Sequence, residues 1–347
     1  MKKPKNQSPV IGVIADDLTG CGDAGVFCAR AGLTTRIYIS SGKVSASSIA
    51  PFEAIIVNTD SRFCSAQNAY ARVTSAVNVL KQLKVRYFFK KTDSTLRGNI
   101  GSELDAFIDA LQLKMLPFVA AFPAVGRTTI NGYQYVNGKL LSETFFAQDP
   151  KNNIISPHIP TLLRQSSKHW KQILVPDAVR QSDLRKFARI YKAHYYAGSA
   201  GIMAEILPYW AVKKKQDTAV KVKSNQVLVV CGSMHPINNM QITGLQNMGN
   251  KTFLHVIEVP KQKEDPLHVI KNIVQKALQL VSKKSFDTII LIGGDTAQHM
   301  CKALHISHLD IEQEVEEGII AATADTGQRI ILKPGGFGDK NSLVRCI

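Results

Sequence analysis

The sequence predicts an α/β protein of two domains, each a mostly parallel sheet flanked by helices. Short runs rich in Val and Ile alternate along the chain with stretches of helical periodicity, which is typical of parallel sheets covered on both faces. The chain has 347 residues, which is long for one hydrophobic core and suits two. Hydrophobic residues make up 45% and charged residues 20%, as in folded globular proteins.

The predicted elements of the first domain follow one another closely. β-Branched residues predict a buried strand at residues 10–15, and a run that ends in glycine predicts a helix at residues 22–32. The same signals predict strands at residues 35–40, 54–58, 87–90 and 117–123, and helices at residues 66–83 and 98–113. Residues 151–170 are polar and contain prolines, which indicates an excursion over the surface before the alternation resumes.

A lysine-rich polar segment, residues 213–224, separates the two predicted domains. It has little apolar periodicity, which is typical of a linker. We therefore expect domains at residues 1–222 and 223–347. After this segment, residues 226–231 and 288–292 predict strands, and glycines follow each of them.

Composition excludes several classes of protein. The formal net charge is +16, but no zinc finger, aromatic RNA-binding motif or basic heptad accompanies it, so we expect an electropositive site for anionic substrates and no nucleic-acid partner. The six cysteines form no C-x-x-C pair, which argues against a zinc site or a disulfide framework, and no metal ligand is assigned. No membrane span or signal peptide is recognisable, so we expect a cytoplasmic protein without a membrane partner.

Four polar clusters of the first domain fall at the predicted carboxyl ends of strands, where α/β proteins gather their chemistry. They are residues 16–20, 58–62, 90–98 and 123–129. A single Asp after a strand is usually a helix N-cap, which contributes about 1 kcal/mol. Asp16 and Asp17 are adjacent and cannot both cap one helix, so the second acid indicates a proton acceptor or a magnesium-associated group.

Cations in these clusters indicate an anionic ligand. Lys90, Lys91 and Arg97 fall at a predicted helix mouth, which favours a carboxylate or phosphate through its free N–H groups and dipole. Arg62 could hold a carboxylate through two parallel hydrogen bonds, a geometry that Lys does not reproduce.

Glycines carry the corresponding signal in the second domain. Residues 232–233, 293–296 and 335–338 each follow a β-rich run, and glycine lets backbone N–H groups approach phosphate oxygens closely. Three such loops favour a nucleotide-phosphate site. Neither G-x-x-x-x-G-K-[ST] nor G-x-G-x-x-G after a strand is present, which excludes a P-loop enzyme and disfavours a dinucleotide site.

The order of these motifs resembles that of the four-carbon acid sugar kinases along nearly the whole chain, and the K-K-x-D-S-T-L-R-G string is highly specific. The matching segments are residues 15–20, 58–62, 90–101, 121–129, 197–201, 232–233 with 241, 293–296 and 333–338. The resemblance implies that the N-terminal domain binds the sugar acid, that the C-terminal domain binds ATP, and that transfer occurs in the cleft between them. It further implies ATP with Mg²⁺ and phosphorylation of the terminal hydroxyl of a tetronate or 3-oxo-tetronate to the 4-phosphate.

The resemblance also assigns roles to residues of this chain. Candidates for the acceptor of the hydroxyl proton are Asp16, Asp17 and Asp93. Candidates for substrate binding are Arg62, Lys90, Lys91, Ser94, Arg97, Gly126 and Arg127. Candidates for nucleotide binding are Ser233, Gly293, Gly294, Asp295, Thr296, Gly335, Gly336, Phe337 and Gly338.

Some residues depart from the family pattern. Met234, His235 and Asn238 replace the usual residues after Ser233, and Pro334 replaces a usual Ser, which removes a hydroxyl and a backbone donor. These departures leave two alternatives open: a kinase that has drifted to another hydroxy acid, and a non-catalytic sensor that keeps the ligand cleft. A homodimer is compatible with the sequence, because helix faces available for one look like ordinary surface.

Overall fold

The computed structural model describes residues 10–44, 52–148, 156–210, 224–248, 254–258 and 266–347. The chain forms two compact units: the first comprises Met1–Thr35 and Ser40–Lys215, and the second comprises Arg36–Ile39 and Gln216–Ile347. The predicted boundary between residues 222 and 223, with all but the last residue of the predicted linker, lies outside the described residues.

Strands and helices alternate in the first unit. They are β1 (Ile11–Ala15), α1 (Leu18–Arg30), β2 (Thr35–Tyr38), β3 (Ala54–Asn58), α2 (Ala66–Gln82), β4 (Tyr87–Lys91), α3 (Ile100–Leu111), β5 (Leu116–Val119), β6 (Arg127–Ile130), β7 (Tyr133–Val136), β8 (Lys139–Leu140), α4 (Ile159–Ser166), β9 (Ile173–Leu174), α5 (Gln181–Tyr191), β10 (Tyr195–Gly198) and α6 (Met203–Ile206). From Arg36 onward, β2 belongs to the second unit.

The main sheet of the first unit is parallel, in the order β3-β1-β4-β10-β5-β9. Its central strands are buried along their whole length, as the runs of β-branched and aromatic residues predict. Ala15 at the end of β1 pairs with Asn58 on one side and with Lys91 on the other. The segments that follow β1, β3 and β4 therefore leave the sheet at the same edge. Strands β6, β7 and β8 form a separate small antiparallel sheet.

The second unit contains the remaining elements. They are β11 (Val227–Cys231), α7 (Ile237–Gln246), β12 (Leu254–Glu258), α8 (Pro266–Val281), β13 (Thr288–Ile292), α9 (Gly294–Ala303), β14 (His308–Glu316), β15 (Ile319–Ala324), β16 (Arg329–Lys333) and α10 (Ser342–Arg345). The sheet order is β12-β11-β13-β16-β15-β14-β2. The first four strands are parallel, and the last three continue the sheet in antiparallel pairs.

The predicted α/β class is confirmed, but the antiparallel sheet of β6, β7 and β8 was not predicted, and the strand predicted at residues 117–123 is β5 at Leu116–Val119. Helix α1 begins at Leu18 rather than at residue 22, because Asp17 caps it. The antiparallel half of the second sheet was not predicted. It includes residues 36–38 of β2, which pair with β14. Arg36 Nε lies 2.5 Å from Asp310 Oδ1 on β14. None of the described helices is long and apolar enough to cross a membrane.

Candidate active site

The carboxyl ends of β1 and β3 bring two aspartates and an arginine together in the first unit. Asp17 is the N-cap of α1, and its Oδ1 accepts a hydrogen bond of 2.7 Å from the Gly20 N–H. Arg62 donates from Nε to Asp16 Oδ2 at 2.7 Å and from Nη1 to Asp17 Oδ2 at 2.6 Å. The bidentate geometry predicted for a substrate carboxylate is therefore occupied by the protein's own carboxylates.

Asp16 is buried, with 2% of its surface exposed. Its Oδ1 has no hydrogen-bond partner among the described residues. Burial opposes ionisation, but Arg62 and Lys90 outweigh it and lower the pKa of Asp16. A Cβ at Gly20 would lie 3.6 Å from Asp16 Oδ1 and 3.3 Å from Lys91 Nζ, so this glycine leaves a small space between the carboxylate and the ammonium.

Lys90 and Lys91 have different surroundings because consecutive strand residues face opposite sides of a sheet. Lys90 has no exposed surface, and its Nζ lies 2.7 Å from Glu103 Oε2 on α3. Ser61 donates to the other oxygen of Glu103 at 2.5 Å, while burial raises the pKa of this carboxyl. Lys90, predicted to contact the substrate, is therefore paired with a carboxylate of the protein, and its charge helps to lower the pKa of Asp16.

Lys91 is the lysine that joins the carboxylate cluster. Its Nζ lies 3.6 Å from Asp23 Oδ2 and donates to the Thr92 carbonyl at 3.2 Å. Asp23, on α1, keeps 29% of its side chain exposed, and desolvation raises its pKa. The sequence reasoning missed Asp23, although a single carboxylate among glycines and alanines of a buried helix signals a nearby cation.

A second charged group follows β4. Arg97 Nε donates to Asp93 Oδ2 at 2.7 Å. Burial alone would raise the pKa of Asp93, but the charges of Arg97 and Arg62 hold it far below its usual range. The guanidinium carbons of Arg97 and Arg127 lie 5.7 and 5.5 Å from the centre of the Phe146 ring. Burial and the charge of Arg97 lower the pKa of Arg127, with Asp93 opposing. Two cations thus share one aromatic ring, which the sequence did not predict.

Two other predicted substrate residues, Ser94 and Gly126, contribute to the backbone structure of this region. The Ser94 carbonyl accepts a hydrogen bond of 2.8 Å from Gln134 on β7, which fastens the small sheet to this segment. Gly126 has a φ of 73°, and a Cβ there would lie 2.0 Å from Asn137 Oδ1. The turn that presents Arg127 therefore requires glycine.

In the second unit, the three predicted glycine loops meet at one edge of the sheet. Cys231 pairs with Ile292, which in turn pairs with Lys333, so β11, β13 and β16 end side by side. A Cβ at Gly232 would lie 1.8 Å from Thr296 Oγ1, and one at Gly335 would lie 2.2 Å from Ser233 Oγ. The loops thus approach one another at distances that only glycine permits.

The remaining predicted nucleotide residues surround this meeting point. Gly293 has a φ of 102° and precedes α9, whose first turn contains Gly294, Asp295 and Thr296. An ideal Cβ at Gly336 would lie 3.2 Å from the His235 ring, the Phe337 carbonyl accepts from Gln241 at 3.1 Å, and Gly338 has a φ of 83°. The N-terminus of α9 and the glycine-rich backbone of these loops suit phosphate oxygens.

Lys333, which the sequence reasoning did not select, lies beneath these loops with 1% of its surface exposed. Its Nζ donates to Asn238 Oδ1 at 2.9 Å and to the Pro334 and Gly335 carbonyls at 3.2 Å each. Two of the residues that depart from the family pattern, Asn238 and Pro334, therefore contact the same ammonium. Met234 and His235 are exposed beside them.

The described residues do not fit a dedicated magnesium site. They contain no group of three or more His, Cys, Asp or Glu side chains that could hold a metal ion. In the first-unit cluster, Asp16, Asp17 and Asp93 each pair with an arginine, and the ammonium of Lys91 lies near Asp23. These cations would repel a divalent ion.

Comparison with known proteins covers both units. A family profile described as a sugar-binding N-terminal domain matches residues 11–172, and one described as a nucleotide-binding C-terminal domain matches residues 261–343. The D-threonate kinase of Bordetella bronchiseptica is 28% identical over 97% of this chain and 96% of its own. The D-erythronate kinase of Heliobacterium modesticaldum is 30% identical over 92% of this chain and 78% of its own.

Solved structures give the same fold. A crystal structure of a protein from Salmonella typhimurium LT2 superposes with a TM-score of 0.81 at 20% identity, covering 97% of this chain and 98% of that one. Identity and coverage of the D-erythronate kinase, together with the two domain profiles, identify the family. This chain belongs to the four-carbon acid sugar kinase family.

Proposed function

We propose that this chain is an ATP-dependent kinase that phosphorylates the terminal hydroxyl of erythronate, threonate or 3-oxo-tetronate to the 4-phosphate. The observation that carries the proposal is the match to a D-threonate kinase over 97% of the chain, which includes both units. The charged cluster of the first unit suits an anionic acid, and the glycine loops of the second unit suit a polyphosphate.

Arg97 and Arg127 are the best-placed cations for the carboxylate of the acid. Arg62 pairs with Asp16 and Asp17 with 9% of its side chain exposed, and Lys90 pairs with Glu103 with none exposed. Arg97 also pairs with a carboxylate, Asp93, but 24% of its side chain is exposed. Both Arg97 and Arg127 are partly exposed, and packing on Phe146 restricts their side chains before a ligand arrives. Such preorganisation lowers the entropy cost of binding a planar carboxylate.

Among the three candidate proton acceptors, the contacts favour Asp16. Both oxygens of Asp17 are engaged by Gly20, Thr19 and Arg62, and both oxygens of Asp93 lie near Arg97. Asp16 Oδ1 keeps its lone pairs free of hydrogen bonds among the described residues. As the substrate hydroxyl oxygen bonds to the γ-phosphorus, its proton passes to Asp16 Oδ1, and the bond to ADP breaks.

The nucleotide half of the proposal depends on backbone donors. We assign the ATP phosphates to the loops at residues 232–233, 293–296 and 335–338, whose glycines have no side chain to keep phosphate oxygens from the backbone. Magnesium would neutralise phosphate charge. It would arrive with the nucleotide, because the described residues offer no carboxylate set for it.

The test is ADP release by the purified protein with Mg²⁺ and ATP, against D- and L-erythronate, D- and L-threonate and their 3-oxo forms. Turnover on one acid, with little ADP released when no acid is added, would support the kinase and identify its substrate. ATP binding without turnover on any acid would point to another hydroxy acid. Absence of both turnover and ATP binding would overturn the proposal in favour of a non-catalytic sensor.

A further inference from the structure

Lys333 is a buried cation whose three ammonium hydrogens have three acceptors. These are the Asn238 side chain at the start of α7 and the carbonyls of Pro334 and Gly335 in the loop after β16. The bonds tie two segments of the candidate phosphate site to one charge. Because every acceptor is neutral, none of them compensates that charge.

The wider surroundings of Lys333 offer little compensation. Among the described residues, the ionisable groups that face it are the thiols of Cys231 and Cys346 and the carboxyl of Glu316, and Glu316 itself pairs with Arg345. Burial therefore dominates and lowers the pKa of Lys333 to about 8. With this pKa the side chain would be mostly protonated at pH 7 and about half protonated at pH 8.

The loop that Lys333 supports is the one expected to hold phosphate. The Gly335 carbonyl accepts a hydrogen bond from Lys333. A Cβ added at Gly335 would lie 2.2 Å from Ser233 Oγ in the neighbouring loop. A polyphosphate bound to these loops would supply the negative charge that the described surroundings of Lys333 lack. It would favour the ammonium over the neutral amine.

We propose that Lys333 is a proton-linked positioning residue. It holds the loop at residues 334–338 in the conformation that binds a nucleotide polyphosphate, and it takes up a proton when the polyphosphate binds. The inference rests on the proposed nucleotide site and adds a regulation to it. Lys333 acts through the loop and through its charge, since its hydrogens are already used by the protein.

The test is isothermal titration calorimetry of the full-length protein with ATP and Mg²⁺, in the absence of any sugar acid. The titrations are repeated in pairs of buffers with different ionisation enthalpies. At pH 8 the terminal phosphate is already deprotonated, so proton uptake reports the protein. We expect uptake of about half a proton per ATP at pH 8, rising toward one at pH 9, and about tenfold weaker binding per pH unit above 8. Adenosine, which lacks phosphate, should bind without proton uptake.

Three variants separate this role from a merely structural one. Lys333→Met should weaken ATP binding about tenfold or more at pH 7.5 and abolish proton uptake. Asn238→Asp, which places a carboxylate against the ammonium, should also abolish uptake because Lys333 then stays protonated before ATP binds. Lys340→Met removes an exposed lysine of the same segment and should leave uptake unchanged.

Two results would overturn the inference alone: ATP binding to the wild-type protein without proton uptake between pH 7.5 and 9.5, or uptake that persists in Lys333→Met. The first of these needs no substitution, so the inference stays open to refutation even if a variant fails to fold. Wild-type protein that binds no ATP at any pH would instead overturn the proposed nucleotide site, and the inference with it.

Discussion

The two units gather their candidate site residues at the carboxyl ends of parallel strands, but they use different chemistry there. In the first unit, side chains carry the site: Arg62 joins two aspartates, Arg97 pairs with Asp93, and Lys90 pairs with Glu103. In the second unit, the backbone carries it, through loops whose glycines approach one another closely. The described part of that loop region holds one buried cation, Lys333, hydrogen-bonded to neutral acceptors.

This difference determines which substitutions matter in each unit. A site made of paired charges is sensitive to removal of one charge, because its partner is then buried without compensation. A site made of close backbone approaches is sensitive to an added methyl group, which leaves every charge unchanged. We therefore expect removal of a charge to lower activity and stability in the first unit. In the second unit we expect added side-chain volume to weaken nucleotide binding.

The largest expected effect is on catalysis, at Asp16. Asp16→Asn removes the proposed proton acceptor, and we expect kcat for the acid to fall about 10²- to 10⁴-fold with ATP affinity little changed. Steady-state kinetics and ATP titration measure the two quantities separately. Asp60→Asn is the matched control: it lies after the neighbouring strand with a φ of 49°, which Asn tolerates, and should keep wild-type kcat. An Asp16→Asn protein with more than about a tenth of wild-type kcat would exclude Asp16 as the acceptor.

Breaking the Lys90–Glu103 pair tests the charge dependence of the first unit's stability. Lys90→Met leaves Glu103 buried without its cation, and we expect the free energy of unfolding to fall by about 3–5 kcal/mol. Urea denaturation followed by tryptophan fluorescence reports this unit, because both tryptophans, Trp170 and Trp210, lie in it. Lys114→Met, at an exposed position, should cost less than about 0.5 kcal/mol.

The double variant Lys90→Met/Glu103→Leu sharpens this test. Replacing both charges by apolar side chains removes the uncompensated carboxylate, so the double variant should be more stable than Lys90→Met alone. Equal destabilisation of the two proteins would show that packing around Lys90, rather than its charge, accounts for the loss.

A smaller effect is expected from an added methyl group in the second unit. Gly335→Ala would place a Cβ 2.2 Å from Ser233 Oγ, and we expect the ATP dissociation constant to rise about 10- to 100-fold with the first unit's stability unchanged. Adding Ser233→Ala should recover part of the affinity, since it removes that oxygen but leaves Ser233 Cβ at 2.8 Å. Gly42→Ala, where an added Cβ would meet no atom within 4 Å, is the control and should bind ATP as wild type does. Unaltered ATP affinity in Gly335→Ala would argue against this loop as the phosphate site.

The sequence predicted features that depend on neighbouring residues along the chain. It missed features that depend on residues far apart in the sequence. Asp16 with Asp17, and the three glycine loops, were found because strand ends of a parallel sheet meet at one edge. The burial of Lys90 depends on Glu103 of α3, and the surroundings of Lys333 depend on Asn238, 95 positions earlier. The antiparallel part of the second sheet likewise requires Ile37 to pair with Leu309, which periodicity cannot indicate.

Asp109 belongs to the same class of features, and it carries the smallest expected effect. It accepts from Tyr70 at 2.6 Å and from His169 at 2.7 Å, and lies 2.7 Å from Lys168 Nζ. Burial opposes its ionisation, but these partners lower the pKa of Asp109 to about 2. Its folded pKa is thus below the usual unfolded value of about 3.9, so its contribution to stability is present above about pH 4 and is lost as the pH falls through 2.

Because about a third of the Asp109 side chain is exposed, solvent screens these contacts, and we expect Asp109→Asn to cost about 1 kcal/mol or less. The difference in unfolding free energy from wild type should be constant above about pH 5 and should shrink between pH 4 and 2. Urea denaturation followed by tryptophan fluorescence measures it, with the exposed Glu143→Gln as a control that should show no such trend. A difference that stays constant down to pH 2 would mean that Asp109 stabilises the first unit as a neutral hydrogen-bonding group rather than as a charge.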